Sequence, residues 1–158
     1  MAYLVFKMTL KSSDSLISGY LYARAGNGDE IEKYNATSGQ RRFQTLDHLN
    51  RKGKGSIPSC KEIGVHSFHV TTSPTKSDDE GIAGDFYHIT PDPMKIRGIK
   101  RSEFGIHYDA NGSTKPGSAG CIVLTDKSEW KAFKQFMKGY KKEGFSIISL
   151  IVEYPDIN

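Results

Sequence analysis

Apolar and polar residues alternate with the period of a strand through most of this chain. Residues 3–10 and 17–24 carry the Tyr, Ile, Val and Phe content of strands, and a Ser/Asp/Lys cluster at 11–15 separates them, which predicts a hairpin. Residues 25–29, Ala-Gly-Asn-Gly-Asp, form a strong turn signal, and 30–36 alternate like a half-buried strand. Further strands are predicted over 65–72 and 85–90, the latter ended by Pro91 and Pro93, with 96–99 leading toward an apolar run that closes at His107. A second short apolar run opens at Cys121. The period then lengthens to that of a helix over 127–142: Trp130, Phe133, Phe136, Met137 and Tyr140 fall on one face, with Lys131, Lys134, Lys138 and Lys141 elsewhere around it. Asp126 followed by Glu129 resembles a capping box, and Gly144 supplies a stop. Residues 145–154 are apolar enough for a central strand, and Pro155 ends it. The pattern predicts a mainly β fold with one amphipathic helix near the C-terminus, its aromatic stripe packed on the sheet that contains residues 145–154.

With 158 residues and no internal repeat or linker, the chain reads as a single domain, 1–158, able to bury about 70% of its unfolded surface. A charged fraction of 25% with 11% aromatics fits a soluble globular protein rather than a disordered one. The net charge of +4 suits an anionic partner but does not select one. The basic residues concentrate in 39–64 (Arg41, Arg42, Arg51, Lys52, Lys54, Lys61), where Phe43 is the only aromatic; nucleic-acid binding wants interleaved aromatics, so no nucleic-acid partner is expected. His66 and His69 are three apart on a strand and point to opposite faces, and no paired Cys-x-x-Cys or His-Glu-x-x-His occurs, so neither metal nor other cofactor is expected. The acidic triplet at 78–80 reads as a solvated loop tip. Two cysteines, Cys60 and Cys121, are expected to remain unpaired. The first ten residues lack a basic n-region and a cleavage site, and no stretch approaches the roughly 18 apolar residues of a membrane span. The protein is therefore expected to be made in the cytoplasm.

Residues 104–124 concentrate the candidate chemistry. His107 closes one strand and Cys121 opens another, joined by a connection rich in Gly, Ser and Pro, which places a base and a nucleophile at the edges of two strands. A thiol attacks a carbonyl as thiolate and needs a base or cation nearby. Residues 117–120, Gly-Ser-Ala-Gly, carry small side chains that let backbone N–H groups of Ala119, Gly120 and Cys121 approach a developing oxyanion. His88 can line the same cleft or be a half-exposed strand residue, and Asp109, two residues beyond His107, reads as an exposed turn residue. Against this stands the plainer reading of 121–124, Cys-Ile-Val-Leu, as an ordinary core strand with a buried thiol.

His107 and Cys121, 14 residues apart, with the run Ser118-Ala119-Gly120-Cys121-Ile122, resemble the signature of the L,D-transpeptidase (YkuD-like) catalytic domain, in which a histidine precedes Ser-x-Gly-Cys-Ile/Val. The similarity covers residues 84–154 and is nearest to compact, divergent branches of the family, some of them interbacterial toxins or phage-borne proteins. Ala119 and Val123 stand where many members carry histidine and arginine. The resemblance implies a mixed β-sheet sandwich with one helix, a Cys121 nucleophile with His107 as its base, a backbone oxyanion site at Ala119, Gly120 and Cys121, and substrate contacts from Ser118, His88 and Tyr108. It implies peptidoglycan stem peptides as the partner, with cross-linking or cleavage as alternative outcomes, and action in the periplasm or cell wall after delivery or release. No immunity or delivery partner is identifiable. The alternative is a non-catalytic module that binds cell wall or another protein through its basic loops.

Overall fold

A computed structural model describes residues 1–155. The expected hairpin is β1 (Ala2–Lys7) with β2 (Gly19–Ala25), antiparallel, and β2 continues into β3 (Glu30–Ser38). After a basic segment holding a single 3-10 turn and the one-turn helix α1 (Cys60–Ile63) come β4 (Phe68–Thr71), β5 (Thr75–Ser77) and β6 (Gly84–Thr90). A separate small hairpin, β7 (Met94–Ile96) with β8 (Ile99–Arg101), leads to β9 (Gly105–Tyr108) and β10 (Ile122–Leu124). The predicted helix is α2 (Lys127–Lys142), and β11 (Ile147–Glu153) follows it.

The principal sheet runs β4-β11-β1-β2-β3-β10-β9-β6-β5, and β6 also pairs with β4. That last pairing turns the expected two-layer sandwich into one closed, barrel-like sheet. The cause is local: β6 offers one end of its free edge to β4 (Val70 beside Ile89) and the other to β5 (Thr75 beside Phe86), while β4 pairs with β11 on its far side. Closure pairs edges that a sandwich would have to protect and leaves the short strand β5 as an outer edge. Two neighbouring pairs are parallel, β1 with β11 and β9 with β10.

Because side chains alternate across a strand, one set of positions faces inward around the ring. Leu4, Phe6, Leu21, Ala23, Tyr34, Ala36, Phe68, Val70, Tyr87, Ile89, Ile106, Ile122, Leu124, Ile148 and Leu150 are all buried in one cluster. The stripe of α2 completes it. Asp126 caps the helix by accepting from the Glu129 amide at 2.9 Å, and Trp130, Phe133, Met137 and Tyr140 are buried, with Phe136 half-buried. Phe133 meets Tyr34 and Tyr87 edge-on at 5.5 and 5.4 Å, and Trp130 meets Tyr87 at 5.9 Å. The stripe thus packs on the expected sheet, although its closest strands are β3, β9 and β10 rather than β11; Tyr140 stacks on Phe145 at 4.3 Å just before that strand.

The inward parity of Ile106 and Ile122 sends His107, Cys121 and Val123 to the outer surface of the sheet, beneath the long loops. This parity places the candidate chemistry outside the core while leaving it on the sheet's most regular part. No described helix is long and apolar enough to cross a membrane.

Candidate active site

Cys121 lies in the turn that enters β10, and His107 lies on the adjacent parallel strand opposite Val123. Continued by two residues, this register sets Cys121 beside Gly105, so cysteine and histidine occupy the same outward face one strand apart and two residues along, about 8 Å between backbone positions. Both line an open cleft of about 1120 Å³ whose other walls include Gln40, Thr75, Asp79, Phe86, His88, Glu103, Asn111 and Ser118. A smaller cleft of about 280 Å³, lined by Lys52, Lys100, Arg101 and Phe104, reaches Cys121 from another direction.

His107 is fixed from two sides. Its Nδ1 is 2.8 Å from the Tyr108 carbonyl, and a carbonyl only accepts, so Nδ1 carries the proton and Nε2 is left as the basic nitrogen. Phe86 stacks on the ring at 5.8 Å. That contact depends on Gly105, where a Cβ would sit 2.2 Å from the Phe86 ring. A glycine inside a strand was the available sequence signal for such close approach. Burial pushes the His107 pKa below its ordinary value, against smaller upward effects from the Tyr108 carbonyl and Asp79. The imidazole is therefore neutral at pH 7.

Cys121 is half-exposed as a residue, but its thiol is pushed up to about 12 by burial, the largest effect; the Gly105 amide and the Arg101 guanidinium act in the opposite direction. At rest the thiol donates to the Glu103 carbonyl at 3.5 Å, and no hydrogen bond joins it to His107. Glu103 has φ of +65°, a conformation that costs an L residue about 1–3 kcal/mol and here turns its carbonyl to the sulfur. The resting pair is thus an uncharged thiol and an uncharged imidazole, not a preformed ion pair. Alkylation of Cys121 is accordingly expected to accelerate about tenfold per pH unit through the neutral and alkaline range in which the protein stays folded, without a plateau near pH 8. Rate constants measured against pH, with mass mapping of the labelled cysteine, check this. Cys60 contributes nothing to the cleft: it is buried, its thiol is raised by burial, and it contacts the Leu150 carbonyl at 3.7 Å, so Cys60→Ser should leave that profile unchanged.

The turn before Cys121 is pinned by its carbonyls. Arg101 Nη2 donates to Ala119 O at 3.0 Å, and Ser38 Oγ donates to Gly120 O at 2.9 Å. In a trans peptide the N–H points opposite the C=O, so the Gly120 and Cys121 amides are directed away from these buried donors; the Gly120 amide donates to Ser118 Oγ at 3.3 Å within the turn, which leaves the Cys121 amide as the candidate oxyanion donor. Gly120 has φ of +138°, and a Cβ there would lie 2.4 Å from Arg101 Nη2, so only glycine fits.

Three substrate-contact expectations fare differently. His88 lines the cleft, exposed, with its ring edge-on to Phe86 at 4.7 Å and Nε2 3.0 Å from Thr75 Oγ1. Ser118 also lines it, but its Oγ is engaged, donating to Cys121 O at 2.6 Å and accepting from the Gly39 amide at 3.0 Å and the Gly120 amide at 3.3 Å, so it holds the turn. Tyr108 does not project into the cleft. It shares the inward parity of Ile106, its ring packs against the core, and it serves the site through its carbonyl. Asp109 is buried, not an exposed turn residue: Oδ2 accepts from the Gly117 amide at 2.9 Å and anchors the 110–117 loop, while Oδ1 has no protein partner and burial raises the carboxyl pKa. His66 and His69 are exposed and lie away from the cleft, and the described residues contain no cluster of three or more His, Cys, Asp and Glu side chains suited to a metal. The residues that sequence reasoning missed are Arg101, Phe86 and Glu103. No protein-family model matches this chain, and no curated protein matches it either.

Proposed function

We propose that this protein is a cysteine acyl-transferase or peptidase of the L,D-transpeptidase type that acts on peptidoglycan stem peptides. The observation that carries the reading is that Cys121 and a His107 whose Nδ1–H is held by the Tyr108 carbonyl line one cleft, beside a turn whose Cys121 amide points away from the pinned Gly120 carbonyl. In this reading rotation of the Cys121 side chain exchanges the Glu103 carbonyl for His107 Nε2. The sulfur attacks the carbonyl preceding the terminal D-residue as Nε2 takes the thiol proton, so the high thiol pKa is met by general-base catalysis rather than by prior ionisation. The Cys121 amide stabilises the oxyanion, and the Gly120 amide joins it by exchanging Ser118 Oγ for the substrate oxygen. Collapse to the thioester expels the amine, which receives the proton from His107. Water then gives a trimmed stem peptide, or an acceptor amine gives a cross-link; the second cleft at Cys121 offers such an acceptor a route that does not cross the donor.

The rival reading, a non-catalytic wall- or partner-binding module, is favoured by the raised thiol pKa and the thiol's bond to Glu103. Incubation with muropeptides of defined stem length, followed by mass spectrometry, separates the two. The enzyme reading predicts loss of the terminal D-residue from tetrapeptide stems or a new cross-linked mass. Unchanged muropeptides, with Cys121 demonstrably reduced, favour the module.

A further inference from the structure

Arg101 is a buried cation, 4% exposed, and among the described residues no carboxylate pairs with it. Its guanidinium is instead held by four carbonyls. Nη1 donates to Leu49 O at 2.6 Å and Ser56 O at 2.9 Å; Nη2 donates to Gly55 O at 2.9 Å and Ala119 O at 3.0 Å. Three of those acceptors belong to the 49–56 loop and the fourth to the nucleophile turn, so one side chain ties the two together. The ring of Phe104, 4.9 Å from the guanidinium carbon, covers it. A desolvated guanidinium held only by neutral acceptors keeps its full positive charge within the protein, where a fixed charge acts more strongly than in water.

We propose that Arg101 is the positioning residue of this active site: it fixes the Ala119 carbonyl, and with it the turn that presents the Cys121 amide to the substrate, and it places a positive charge with no carboxylate partner among the described residues behind the point where negative charge develops. Arg101 touches no reacting atom and acts through the turn. The charged and titratable groups around the sulfur are Arg101, His107, Glu103 and Asp79, and Arg101 is the one whose charge is fixed and positive. The inference rests on the acyl-enzyme reading for its catalytic half, whereas its effect on the thiol is independent of any substrate.

The test uses Arg101→Met and Arg101→Lys in the full chain with Cys60→Ser, read by iodoacetamide alkylation of Cys121 against pH and by steady-state kinetics on tetrapeptide muropeptide. Arg101→Met is expected to slow Cys121 alkylation at least about tenfold at each pH, as a thiol less easily ionised requires. Arg101→Lys restores the charge without the fork, so alkylation should return to within about threefold of the parent while kcat stays about 10²-fold down at unchanged KM, the pattern of an interaction made only in the transition state. Parent-like alkylation in Arg101→Met, or parent-like kcat in Arg101→Lys, would overturn the proposal. If Arg101→Met does not fold, as judged by near-UV circular dichroism, Arg101→Lys alone decides; failure of both to fold would make Arg101 structural and count against it. Alkylation that slows as expected in a protein inactive on muropeptides would retain the thiol half and remove only the wall-enzyme reading.

Discussion

Cys121→Ala is expected to abolish turnover of stem peptides while leaving the protein folded. The side chain sits in a turn on the outer face of the sheet, contributes nothing to the inward cluster, and makes weak contacts to the Glu103 carbonyl and the Gly105 amide. Its removal should therefore shift stability by about 1 kcal/mol, the usual size for a single substitution. His107→Ala is expected to lower kcat by about 10²- to 10⁴-fold, the usual contribution of a positioned general base. The double variant should be no worse than Cys121→Ala alone, because residues that act as a unit are not additive. Its pH dependence has a definite sign. Burial lowers the His107 pKa, so the base remains unprotonated below the ordinary histidine value and the acid limb of kcat/KM should fall below about pH 6.5. Steady-state assays across pH, with thermal melts of each variant, measure these outcomes.

The second large effect concerns the core. Phe133 is fully buried and wedged between Tyr34, Tyr87 and Trp130, so Phe133→Ala removes a ring from a region where β3, β6 and α2 meet. It is expected to cost about 3–5 kcal/mol, which for a chain of this size lowers the melting midpoint by about 6–20 °C. Lys138→Ala, on the exposed face of α2, should stay within about 0.5 kcal/mol. A mild effect of Phe133→Ala in calorimetry or denaturant titration would mean that the stripe does not bear on the core.

Elements set by local periodicity were legible in the sequence. The helix is bounded by Asp126 and the Gly144 stop because capping and the 3.6-residue period are short-range properties, and the first three strands follow from alternation in the same way. Closure of the sheet was not legible, because it depends on β4 pairing with both β11 and β6, and nothing in four residues declares two partners. The candidate nucleophile and base were legible from residue type and spacing. Their supporting groups were not, for a common reason: they act through backbone atoms or through burial. Arg101 stands among Arg97 and Lys100 with no distinguishing composition, and only its position in the fold buries it while its neighbour is exposed. Tyr108 was expected in the cleft but contributes a carbonyl, and Asp109 was expected at the surface but anchors the Gly117 amide from within.

Direct capture of the acyl-enzyme bears most immediately on the central claim that Cys121 attacks a stem-peptide carbonyl. Wild-type protein mixed with tetrapeptide muropeptide, quenched in acid on the millisecond-to-second scale and weighed intact, should carry the mass of the stem peptide less its terminal D-residue. Peptide mapping should place that mass on Cys121 as a hydroxylamine-labile thioester, absent from Cys121→Ala. Protein that remains unmodified at every time point, with Cys121 reduced and the muropeptides recovered intact, would contradict the account.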